Sequence, residues 1–220
     1  KYSPSVNLIT NVCSFAAKEN SMLESETMRF NPASIDIEKL NDSIECLTTE
    51  TFVLNRVGPD ELEWFTDLLQ EPRFHLCAGF KKPPSAKRLK EALFDEVEFV
   101  AWTASGHDMD EPVGICAWVG CSGMPYILFE PMTPTEIGAE VLQELLEPVV
   151  HVFFEFTPGD ELFVYVPRPV DDDLHLMLVE SGFDPMEHLP GINNEKEMGY
   201  LLARSTYNAY FNDEGDVEGS

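Results

Sequence analysis

The stretch PMTPTEIGAEVLQELL, Pro131 to Leu146, is where a strand gives way to a helix. Upstream, PYILFEP (125–131) is an apolar, aromatic run of strand type. Downstream, Ile137, Val141, Leu145, Val149, Val152, Phe153 and Phe156 recur at helical spacing. Between them, TPTE reads as a capping box. Thr133 can accept from the amide of Glu136, and the Glu136 carboxylate can reach back to the amide of Thr133. Pro134 suits a first helical position. The helix is therefore expected to begin at Pro134, with Glu136 in its first turn. Pro148 is expected to kink it, because proline has no N–H to donate.

The same reading extends in both directions. TFVLNRV (51–57) is a strand, and GPDELEWFTDLLQ (58–70) a helix with Pro59 and acids in its first turn. A loop and a helix capped by Ser85 follow in KKPPSAKRLKEALF. EFVAWTAS and VGICAWVG are strands joined by a polar turn. ELFVYVP is a strand, and DDDLHLMLVESGF a helix led by aspartates and ended by Gly182. EMGYLLARS is the last strand. The order β-α-α-β-β-β-α-β-α-β describes one mixed α/β domain over residues 47–205. Residues 1–46 form an N-terminal extension with two short candidate helices, and 206–220 an acidic tail.

The net charge is -26, from 40 acidic and 14 basic residues. Such a surface repels nucleic acid and anionic membranes, and attracts basic proteins or cationic amines. No apolar run reaches the ~18 residues of a membrane span. The cysteines, Cys13, Cys46, Cys77, Cys116 and Cys121, show no CxxC or Cys/His zinc spacing. They fit reduced thiols in a cytoplasmic compartment, with Cys116 in the core. The sequence contains no Ser–His–acid order, P-loop or Rossmann fingerprint, and nothing like a nucleic-acid reading module.

Four segments, in order, resemble the GCN5-related N-acetyltransferase (GNAT) superfamily, and most of all its RimJ/RimL-type branch. LTTETFVLNRVGPDELEWFTDLLQEP resembles the branch's opening strand and helix, and EPVGICAWVG its central hairpin strand. EIGAEV resembles the family's helix start, and LMLVESGF its late helix end. The likeness implies a mixed central sheet flanked by helices, with acetyl-CoA in a cleft and its pyrophosphate on the amides that open the long helix. Ile137, Gly138 and Ala139 would supply those amides, with Met132 and Thr133 at the start of the loop.

The chain departs from the family's pattern at two places. Thr133 stands where the pattern has Gln or Arg, and Glu136 where it has the first glycine. A carboxylate about 5 Å from a phosphate, at an effective dielectric near 20, costs roughly 3 kcal/mol. Leu178 occupies the late-helix position where the family often carries a proton-donating tyrosine. Glu130, closing PYILFEP, is the candidate base for an amine acceptor.

Two classes of function follow: an acetyl-CoA-dependent N-acyltransferase, or a non-catalytic GNAT-fold protein. The second would be a virion component or an acidic inhibitor of a basic or nucleic-acid-binding partner. His151 and His175 read as packed or rim histidines, and Asp171 to Asp173 as a helix start rather than a metal site. Lys81, Lys82, Lys87, Arg88 and Lys90 form a local basic run that could hold a CoA phosphate or lie in solvent.

Overall fold

The computed structural model describes residues 45–78, 80–96, 99–109, 111–120, 125–132, 138–187 and 197–211. The two candidate helices of the N-terminal extension lie outside these residues. A hairpin opens the fold, β1 (Cys46–Thr48) and β2 (Phe52–Arg56). A 3-10 turn at Pro59–Glu61 then leads through α1 (Leu62–Leu68), α2 (Pro72–Cys77) and α3 (Ala86–Lys90), the last running into a π turn, Glu91–Asp95. β3 (Phe99–Gly106), β4 (Gly114–Val119) and β5 (Tyr126–Pro131) form a meander. α4 (Ala139–Phe156), β6 (Glu161–Pro167), α5 (Asp172–Glu180), β7 (Asp184–Met186), β8 (Glu197–Ala203) and α6 (Arg204–Phe211) complete the described elements.

Among the described residues, eight strands lie in one sheet in the order β1-β2-β3-β4-β5-β6-β8-β7. All neighbours are antiparallel except β5 and β6, which are parallel. Both faces are covered, which is why β4 is buried at every position and reads as an unbroken apolar run rather than an alternation. On one face Trp102, Trp118 and Phe129 pack against Leu145, Val149 and Phe153 of α4, with α5 and α6 alongside. Trp118 meets Phe153 edge-on at 5.8 Å, a geometry that aromatic quadrupoles favour. On the other face Ala117, Leu128 and Phe163 pack against Phe65, Leu69 and Leu89 of α1 to α3.

Local signals set several of the ends. The Ser85 hydroxyl accepts from the Arg88 amide at 3.3 Å, and Asp171 accepts from the amides of Asp173 and Leu174. Gly182 has a φ of 85°, the left-handed value that ends α5. Cys116 is buried, as expected, and burial raises its thiol pKa.

The structure corrects three expectations. Val141, placed on the buried stripe of the long helix, is 36% exposed; Leu142, one residue on, takes the inward position. The domain does not stop at residue 205: β8 runs directly into α6, whose Tyr207 is buried and meets His151 through its hydroxyl at 2.5 Å. The helix through PTEIGAEV begins at Ala139, after an extended Gly138 (ψ 154°), rather than at Pro134. A start at Pro134 would place glycine inside the second turn, where it costs about 1 kcal/mol relative to alanine. The helix continues on both sides of Pro148.

Arg204 ties α6 to the end of α4. Its guanidinium donates to the carbonyls of Phe154 (2.7 Å), Thr157 (2.6 Å) and Gly159 (2.8 Å), capping the negative end of the helix dipole. Replacing Arg204 with methionine should destabilise the fold by about 2–4 kcal/mol, the worth of several charge-assisted hydrogen bonds. Urea unfolding of both proteins measures it.

Candidate functional site

The parallel pair β5–β6 is joined at only two positions, Tyr126↔Phe163 and Ile127↔Val164. Its neighbours are fully laddered, six pairs in β4–β5 and seven in β6–β8. Beyond Ile127 and Val164 the two strands are no longer laddered to each other, while each stays paired with its other neighbour. Gly138 and Ala139, which open α4, follow β5 in the chain. A cleft at the carboxyl ends of parallel strands is the usual ligand position in open α/β sheets.

Glu130 stands at the end of β5, with 3% of its surface exposed. Strand alternation puts it on the α1–α3 face with Leu128, and Phe129 on the α4 face. A cavity of about 10 Å³ borders it, lined by Phe65, Leu69, Phe74 and Ile115. These apolar walls do not replace the hydration of a carboxylate. Burial therefore pushes the Glu130 carboxyl up to about 7, against the opposing pull of Arg73.

Arg73, on α2, is the cation of this site. Its Nη1 lies 3.7 Å from Glu130 Oε1. The same guanidinium donates to the carbonyls of Pro131 (2.9 Å) and Met132 (2.5 Å), and it lies 4.2 Å over the Phe74 ring. Arg73 thus clamps the end of β5 and the start of the loop that leads to α4.

The sequence-predicted residues fall into two groups. Glu130 and Met132 are brought together by Arg73, and Gly138 and Ala139 open α4; a Cβ on Gly138 would meet nothing within 4 Å. Thr133, Glu136 and Ile137 lie outside the described residues. The late start of α4 nonetheless removes Glu136 from the helix's first turn, where the acid is Glu140. The expected capping box is thus not the start of this helix.

Leu178 is buried at 1% exposure. It borders a separate cavity of about 200 Å³ between α4, α5 and α6, on the face opposite Glu130. His175 shares a hydrogen bond with the Tyr200 hydroxyl at 2.9 Å, and Asp171 is occupied as a helix cap. In the basic run, Lys87 and Arg88 pair with the surface acids Glu91 and Glu96.

Sequence reasoning passed over Arg73, Tyr165 and Glu197. Arg73 bonds to carbonyls 58 and 59 positions away, a pairing that local pattern does not carry. Glu197 lies in a polar stretch, NEKEMGY, yet is 2% exposed.

This mixed sheet, with its parallel pair β5–β6 laddered at two positions only, has the GNAT acetyltransferase fold. An acetyltransferase from Agrobacterium tumefaciens superposes with a TM-score of 0.50 at 16% identity, over 73% of this chain and 95% of that one. The spermidine/spermine N-acetyltransferase SpeG from Vibrio cholerae superposes with a TM-score of 0.50 at 13% identity, over 73% and 97%. At these identities the fold is what is shared. No family model and no curated relative matches the chain. Among the described residues no helix is long and apolar enough to cross a membrane.

The raised Glu130 carboxyl has a consequence for stability. Its folded-state value lies above the unfolded one, so its contribution is fully present below the ordinary carboxylate range and lost as pH rises through about 7. Glu130→Gln should melt above wild type near pH 8, with the gap narrowing towards pH 5. Thermal melts across that range test the sign.

Proposed function

We infer that the chain is an N-acyltransferase that moves an acyl group from acetyl-CoA, or a related thioester, to a cationic amine. The observation that carries this reading is a buried carboxyl with a pKa of about 7 at the end of β5, where its parallel partner has just parted. The start of α4 supports it: its N-cap is Gly138, which has no side chain of its own to occupy the amides of the first turn.

Acetyl-CoA supplies the activated acyl group. Beyond Ile127 and Val164 the facing edges of β5 and β6 are not laddered to each other, and an amide-bearing chain laid along them would be recognised through backbone hydrogen bonds. The leading amides of α4, at Ala139 and beyond, face the position of a diphosphate with the favourable end of the helix dipole. Glu130 takes the proton from the attacking amine, directly or through water. Arg73 holds Pro131 and Met132 in place and, as a neighbouring cation, disfavours the ammonium form of the acceptor at Glu130. Leu178 offers no proton, so protonation of the departing thiolate falls to solvent, a small cost for a group of pKa about 8.5.

The second reading, a non-catalytic binding protein, draws on Leu178 and on the net charge of -26. Ligand linkage separates the two. Acetyl-CoA at about 1 mM should raise Tm by several degrees, because a ligand bound only to the folded state stabilises it; no shift would favour the second reading. In the enzyme, kcat at saturating acceptor should rise with pH to an inflection near 7. Glu130→Gln should lose that inflection and about two to four orders of magnitude in kcat. An inflection that persists in the variant assigns the base elsewhere.

A further inference from the structure

The cavity of about 200 Å³ between α4, α5 and α6 takes no part in the chemistry at Glu130. It lies on the α4 face of the sheet, and its lining includes no residue of β5 and none from the first turn of α4. Its floor is apolar: Leu146 and Val150 from α4, Met177 and Leu178 from α5, Leu202 from β8, and Phe183. All six are buried. An apolar cavity of ~150 Å³ is enough to take benzene, so this one has room for a single aromatic ring and a short tether. The mouth has a different chemistry. Glu147 on α4 and Glu180 at the end of α5 line it, both exposed, and no lysine, arginine or histidine stands among the lining residues. Among the described residues neither carboxylate is engaged by a hydrogen bond or an ion pair. Glu144, on the same helix as Glu147, is by contrast already held by the Thr49 hydroxyl at 2.6 Å. Tyr210 of α6 stands at the same mouth, 58% exposed. Its ring lies beside the glycine that ends α5, 3.4 Å from where a Cβ on Gly182 would sit.

We propose that this cavity is a second ligand site, for a hydrophobic monocation: a single ammonium group carrying one aryl group. The ring fills the void over the apolar floor, and burial of its apolar surface supplies most of the affinity. The ammonium stays at the mouth, where Glu147, Glu180 and the Tyr210 ring attract it. Because that end remains in water, the two carboxylates add selectivity more than affinity. They repel any ligand that carries a carboxylate or phosphate. A linear polyamine suits the site poorly, since a second charge would have to enter the apolar floor unpaired. The site lies on the face of the sheet opposite Glu130, and it stands whether or not the chain transfers acyl groups.

The test is calorimetric titration of benzylammonium, benzyl alcohol, phenylacetate and methylammonium into the whole chain, without thioester, with methyl spectra of methionine-labelled protein to locate the ligand. Benzylammonium should bind about fivefold tighter than benzyl alcohol, the worth of a favourable exposed charge contact. Phenylacetate and methylammonium should show no binding. The Met177 methyl signal should shift with benzylammonium, and that of Met132, which shares Arg73 with Glu130, should not. The double variant Glu147→Gln, Glu180→Gln changes two exposed positions. It should bring benzylammonium down to the benzyl alcohol value and leave the alcohol unchanged. Equal binding of amine and alcohol on wild type, a margin that survives the double variant, or no benzylammonium binding at millimolar concentration overturns the proposal. So does a shift at Met132 in place of Met177, which would put the amine at Glu130 instead.

Discussion

Two ladder pairs, Tyr126↔Phe163 and Ile127↔Val164, join the halves of this sheet. To one side lie five antiparallel strands, β1 to β5; to the other, β6, β8 and β7. Each half is fully bonded within itself, so the opening between them is not frayed structure. β5 stays laddered to β4, and β6 to β8, past the point where their own pairing ends. The halves are kept from separating further by what packs across the junction. On one face α4 lies over β4 and β5 and contacts α5; on the other, Tyr126, Leu128 and Phe163 share a core with α1 to α3.

Electrostatics follow from that geometry. An acid at the end of β5 is held at the cleft's edge but against apolar walls, and the desolvation that results outweighs the attraction of Arg73. The same residue on an exposed strand end would be an ordinary ionised glutamate. Arg73 is kept in place by two carbonyls and an aromatic ring, so its charge acts from a fixed point. In a chain of net charge -26 this fixed cation is a local exception, and its fork bridges α2 to the loop after β5.

Much of this fold can be read in the sequence, and what cannot shares a physical origin. Periods of two and of 3.6 residues locate most strands and helices, and Ser85, Asp171 and Gly182 mark helix ends with local chemistry. β7 has three residues and α2 six, too short to show a period. The start of α4 is ambiguous because TPTE satisfies a capping rule locally while Gly138, five residues on, breaks the helix. At the site, Glu130 is legible because it closes an apolar strand. Arg73 and Glu197 are not, because their positions depend on register between distant segments. Glu197 is buried only because it stands opposite Pro167 across a ladder between strands separated by a helix and a further strand.

Register also decides which face of the sheet carries the chemistry. A slip of one residue in β5 would send Glu130 to the α4 face and Phe129 to the α1–α3 face. Gly114 opposes such a slip. It pairs with Pro131, and the ring of Phe129 lies across it, in space that any Cβ at position 114 would fill. The Glu130 carbonyl closes the same gap at 3.0 Å from that Cβ position. A side-chain-free residue on β4 therefore gives the Phe129 ring its seat on one face, and by alternation holds the Glu130 carboxylate on the other. The apolar packing of one face thereby fixes an acid on the opposite one, so the placement of Glu130 is as firm as the core beneath it.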